Sequence, residues 1–206
     1  MNPFLIHLLL TLVNYFVITT TIDSLLVGIL HFRRPLTCQK SAFLITEENR
    51  TDMQTGNKCS AFASAYLLRH WGIEAHGDSL YEVMPCRLKS GLVFSRGITK
   101  LLSKYGFRVK YCSGSLNALK NEVSKGNPVI ILLRVRVGKS WLHFVPVVGY
   151  DDQYIYIADS ARENVNCNHK YYNRKIPIRT FQKLWNTGMF RMPLYRNTYF
   201  EVDKKE

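Results

Sequence analysis

The chain is short of acid. Fifteen Asp and Glu stand against 28 Lys and Arg, a net charge of +13 over 206 residues. Its five cysteines, at 38, 59, 86, 112 and 167, form no CxxC pair, which argues against a zinc ribbon or a thioredoxin-like redox site. An odd, scattered set suits a reduced compartment or separate core thiols better than a disulfide scaffold, with one disulfide still open. Gly/Ser linkers, Gln/Asn tracts and fixed-period repeats are missing, which excludes low-complexity and solenoid architectures. Much of the basic excess lies late, at Arg162, Lys170, Arg174, Lys175, Arg179, Lys183, Arg191 and Arg196. It forms no dense tract and accompanies no nucleic-acid motif, so a solvated basic surface is expected and no nucleic-acid partner.

Apolar residues make up 47% of the chain, enough for one globular domain plus an extra element. That element is the start. Phe4 to Ile22 is a run of 19 residues without Asp, Glu, Lys or Arg. As a helix it is long enough to cross roughly 30 Å of hydrocarbon. His7, Asn14 and three threonines weaken the run, and Asp23 closes it before LLVGIL resumes. A cleaved signal peptide is the rival reading, but the run has no basic n-region and no clear small-x-small cleavage site. A buried N-terminal helix is the third. An uncleaved membrane anchor through residues 4–30 is the expectation. The first basic residues, in HFRRP at 31–35, follow the segment. The positive-inside rule then keeps that end cytoplasmic. The same stretch marks the expected boundary, with residues 1–35 as anchor and 36–206 as the folded domain.

Within that domain, 36–53 reads as an irregular lead-in. Residues 59–71 read as a helix: Ala61, Phe62, Ala65, Tyr66 and Leu68 recur at helical steps, Asn57 can cap the start, and Gly72 stops it. Its many small residues let it pack closely as a buried central helix. Further helices are expected over 97–104 and 115–126, the latter capped by Ser115 and stopped by Gly126. Strands are expected over 107–111, 127–137, 141–150, 154–159 and 198–202, with one more strand and a short helix in 170–188. Helices come first and strands mostly later, an α+β layout with a largely antiparallel sheet on a helical layer.

Two segments carry the chemistry. In WLHFVPVVGYDDQYIYIADS (141–160), two strands flank a turn near Asp151–Gln153. Paired positions then sum to about 302–304, which sets His143 opposite Asp159 within one register. Cross-strand Cβ atoms lie roughly 5 Å apart, so the carboxylate can accept from the imidazole and fix its tautomer. Pro146 lacks an N–H and demands a bulge or an unpaired side in this strand. Taken singly, each residue is ordinary: a core histidine, and a turn-forming aspartate. Their mirrored placement is what points to function. In QTGNKCSAFASAYLLRHWG (54–72), Cys59 opens the helix. A thiol there faces unpaired N–H groups and the positive end of the dipole, which favour thiolate. Gln54 is five residues upstream, within range to offer an amide donor to an oxyanion. The other four cysteines have no such setting. His70, His76 and Cys86 match no metal-ligand spacing, so no metal is expected.

These segments resemble the bacteriocin-processing cysteine peptidases that remove double-glycine leaders, and in particular their stand-alone relatives. GITKLLSKYGFRVKYCSGSLNALKNEVSKGNPVIILLRV (97–135) is similar to their helix–strand–helix–strand connection, and RTFQKLWNTG to their closing helix. The resemblance covers about 52–200. It implies a papain-like fold in which Cys59 is the nucleophile, His143 the base, Asp159 the orienting acid and Gln54 the oxyanion donor, with no cofactor. It also implies a peptide or protein substrate and a bacterial inner membrane. Two features depart from the pattern: Ser60 stands where many members have glycine, and the Gln-to-Cys spacing is short. No ATP-binding motif or set of membrane spans follows, unlike the fused exporters. A silent peptide-binding module of the same fold and an acyl transferase or amidase with the same triad remain open alternatives.

Overall fold

A computed structural model describes residues 2–188 and 194–205. Helix α1 (Pro3–Val27) runs past Asp23 without a break. Nearly all of its described side chains are solvent-facing, yet Val27 is buried. The hydroxyls that weaken its apolar character are satisfied internally. Thr11 donates to His7 O at 2.9 Å, and Thr19, Thr20 and Thr21 donate to carbonyls four residues back at 2.8 Å.

Among the described residues eight strands form one sheet: β1 (Leu30–Arg33), β2 (Phe43–Leu44), β3 (Phe107–Gly114), β4 (Val129–Arg134), β5 (Leu142–Tyr150), β6 (Tyr154–Ile157), β7 (Arg174–Pro177) and β8 (Thr198–Lys204). The order is β1-β3-β8-β4-β5-β6-β7, with β2 beside the far end of β5. Every pairing is antiparallel except β1 with β3. Strand β1 lies ahead of the boundary expected at residue 35. It belongs to the sheet because Leu30–Arg33 pair with Tyr111–Gly114 and because Arg33 makes a two-pronged ion pair with Glu201, at 2.8 and 3.1 Å.

Helices α2 (Cys59–His70), α3 (Gly77–Glu82) and α4 (Ser95–Lys104) cover one face; α5 (Leu116–Val123) and α6 (Ile178–Trp185) cover the other. A single helical layer would have left half of β4 wet. VIILLR is apolar on both phases of its alternation, so Ile130 faces α2 while Val129, Ile131 and Leu133 face α5 and α6. Phe200 and Val202 join the first core, and Tyr199, directly before Phe200, the second. The small residues of α2 do what their size suggests: Ser60 through Leu68 are all buried.

The hairpin pairs Val147 with Ile157, at the edge of the expected register, and Tyr150 with Ile155, one position beyond it, with a shift between Val147 and Gly149 and no ladder pair between His143 and Asp159. Pro146 sits just before that shift, and its carbonyl accepts from Ala158 N–H at 3.1 Å. Gly149 lets β2 approach: a Cβ there would lie 2.7 Å from Phe43 O.

Candidate active site

Cys59 is the first residue of α2. Asn57 does not cap that helix. Lys58 holds the cap position, its carbonyl accepting from Ala61 N–H (3.0 Å) and Phe62 N–H (3.2 Å), while its ammonium reaches Asp78 at 2.6 Å. Cys59 is half-buried, and its sulfur is near enough to His143 to act electrostatically on the imidazole. His143, on β5, is 4% exposed and places Nε2 2.8 Å from Asp159 Oδ1. That contact leaves Nδ1 as the other nitrogen of the ring.

Asp159 is fully buried and held from every side. Oδ1 also accepts from Ala161 N–H at 2.8 Å, and Oδ2 accepts from Arg174 Nη1 at 2.7 Å. Its backbone is clamped by the Asn173 amide, which accepts from Asp159 N–H (2.7 Å) and donates to Asp159 O (2.8 Å). Burial by itself would raise this carboxyl. The His143 bond, the charges of His143 and Arg174 and the Ala161 N–H outweigh it and hold the group below its usual range. The same competition acts on His143. Burial pushes its imidazole down, but the bonds and charges of Asp159 and Cys59 prevail and raise it to about 10.

Gln54 is fixed in the loop that leads into α2. Its N–H donates to Ser160 O (2.8 Å), its Oε1 accepts from Ser160 Oγ (2.7 Å), and one amide N–H donates to Gly56 O (2.7 Å). The Gln54 side chain is thus tied to the residue directly after Asp159.

Arg174, Asn173 and Ser160 were not singled out from sequence. For Arg174 a signal existed. It shares the buried phase of β7 with Ile176, while Lys175 between them is exposed. A guanidinium in an apolar phase needs a buried acid, and β7 pairs with the strand that ends before Asp159. Arg174→Met would leave the Asp159 carboxylate buried with one partner fewer. A loss of about 3 kcal/mol is expected on thermal or denaturant unfolding; unchanged stability would show that this pair does not hold the loop.

The helix-borne cysteine, the histidine strand and the acid beyond the next strand define the papain-like cysteine peptidase fold. The chain belongs to the Peptidase_C39 like family, whose model matches residues 39–190. A Bacillus subtilis (strain 168) protein, "Uncharacterized protein YvpB", is 30% identical over 170 residues, 63% of this chain and 65% of its own length. The chain therefore spans just under two thirds of that relative. A solved C39-like peptidase structure from Bacillus anthracis superposes with a TM-score of 0.60 at 17% identity, covering 79% of this chain and 98% of that one. The peptidase domain of Streptococcus ComA, a bi-functional ABC transporter involved in a quorum sensing pathway, superposes at 0.57 with 14% identity, covering 77% and 100%.

Proposed function

We propose that the chain is a cysteine peptidase anchored at a membrane. The observation that carries the reading is a buried His143 ring bonded to Asp159 at 2.8 Å, with Cys59 at the start of α2 close enough to raise that imidazole. Cys59 thiolate attacks a peptide carbonyl. The oxyanion that forms is met by the Cys59 backbone N–H and the second amide N–H of Gln54. His143 gives its proton to the leaving amine, a thioester remains, and His143 then takes a proton from the water that releases the acid. Asp159 keeps the imidazole oriented throughout.

Membrane attachment rests on Pro3–Thr21, which is long and apolar enough to cross and is unburied in the fold. Thr21 to Val27 is six helical residues, about 9 Å of rise. Since Val27 shares a cavity with Cys59, the reactive sulfur stands near the headgroup layer. Substrates held at that surface are favoured. The cytoplasmic side is the proposed one, with export by a signal peptide as the contrary case. Arg33 and Arg34 argue for the cytoplasm less simply than their sequence position implies. Arg33 is paired with Glu201, and Arg34 donates to Ser113 O at 2.6 Å.

The test is product mass. The full chain in lipid nanodiscs is incubated with a peptide library beside its Cys59→Ala form. New free carboxyl ends from the first and none from the second are expected. Adducts with an added amine or alcohol would mean acyl transfer instead, and identical spectra would leave only a binding module.

A further inference from the structure

The cavity beside Cys59 has a volume of about 300 Å³ and is walled by parts of the chain far apart in sequence. Leu132 and Phe144 come from the sheet, Leu88 and Leu92 from the turn after α3, and Val27 from the last turn of α1. Val27 is only 6% exposed, whereas Leu25, two residues earlier, is 61% exposed. The helix is therefore docked at this end rather than loosely tethered. Two bonds hold it there: Arg96 Nη1 donates to Leu25 O, and Tyr195 Oη donates to Gly28 O at 3.2 Å.

One polar group on the wall is unusual. Ser60 Oγ is buried, lines the cavity next to Cys59 and has no hydrogen-bond partner among the described residues. A buried hydroxyl is costly to leave unpaired, so it points to a polar atom brought by a ligand. The peptide main chain supplies such an atom, a carbonyl oxygen, wherever an extended substrate passes Cys59.

We propose that the last turn of α1 is a wall of the substrate site, and that this site takes a bulky apolar side chain of the peptide next to the bond to be cut. This inference rests on the peptidase reading of Cys59. A cavity of this size stays largely empty against glycine, and its lining atoms then lose their contacts. A leucine or phenylalanine side chain fills it and leaves water, while Ser60 Oγ donates to the carbonyl of the same segment. The double-glycine preference that the family resemblance would imply is thus replaced here by a preference for large apolar groups. The N-terminal helix is part of that specificity, so a chain trimmed like a cleaved signal would have an open cavity.

The test uses the full chain in nanodiscs and peptidyl chloromethyl ketones ending in Phe, Leu or Gly. Cys59 Sγ forms the C–S bond as chloride leaves, and the labelling rate is read by mass. Phe and Leu reagents are expected to label at least tenfold faster than Gly, the benefit of burying such a side chain. Val27→Trp, which fills the cavity, should remove most of that advantage. Leu92→Glu, on an exposed turn that tolerates change, should reduce it by placing a charge on the rim. Iodoacetamide needs no subsite, so its rate at Cys59 should be the same in all three proteins. A Gly reagent as fast as Phe, or an advantage untouched by both variants, would overturn the proposal. A Cys59 no faster with iodoacetamide than the other cysteines would instead overturn the peptidase reading itself.

Discussion

His143→Ala should lower peptide turnover by about 10³–10⁴-fold, measured as kcat/KM on the best library peptide. In the proposed mechanism one side chain serves as acid and then as base, and such proton transfers contribute about 10²–10⁴ in rate. The variant also strips the Asp159 carboxylate of one of its three partners, so some destabilisation should accompany the loss. The two effects separate in a single experiment. Far-ultraviolet circular dichroism should keep its native form at 25 °C while turnover vanishes. Turnover within a few fold of the native protein would mean that the ring is a core residue and nothing more.

Asp159→Asn should cost about 10³-fold and also change the pH profile. His143 is raised from 6.5 to about 10 by bonds and charges that include the carboxylate. In the native protein the imidazolium therefore persists through neutrality, and kcat/KM should fall on the alkaline side near pH 10. Asparagine removes the charge, so the alkaline limb should move to lower pH. Stability follows the same sign. A raised histidine contributes fully below its unfolded value of 6.5 and loses that contribution as pH climbs toward 10. Asp159, held low, contributes above its unfolded value of 3.8 and loses it as pH falls through its folded value. Native protein should therefore lose stability between about pH 6.5 and 10, and Asp159→Asn should flatten that decline. An alkaline limb unmoved by the substitution would show that the carboxylate does not govern the ring.

Local chemistry in the sequence foretold the pieces that depend on neighbours along the chain. Ser115 caps α5 by accepting from Ala118 N–H at 3.2 Å, and Gly126 takes the left-handed φ of 94° that a stop requires. The tight turn at Asp151 sets the hairpin register, and Asp151 Oδ1 accepts from Gln153 N–H at 2.7 Å. Spacing along the hairpin brought His143 and Asp159 near one another, but the ladder ends at Val147 with Ile157, and their contact is made by side chains beyond it. What escaped depends on distant partners. Leu30–Arg33 looks like the tail of an anchor, and only Tyr111–Gly114, some eighty residues on, makes it a strand. Lys58, not Asn57, holds the cap of α2, its ammonium bonded to Asp78 on α3. Helix α3 is six residues long, too short for a periodic signal, and it stands on its packing against α2. The cavity beside Cys59 needs α1, the turn at 88–92 and the sheet together, and no window of sequence contains all three.

The most direct measurement is the alkylation rate of Cys59 by iodoacetamide near pH 6.5, in the native chain and in His143→Ala, with the other four cysteines as internal references. On the proposed mechanism, with the His143 ring locked against Asp159 beside it, Cys59 should react at least tenfold faster than Cys38, Cys86, Cys112 and Cys167. That lead should vanish in the variant. Equal rates for all five thiols, or a Cys59 rate indifferent to His143, would contradict the account.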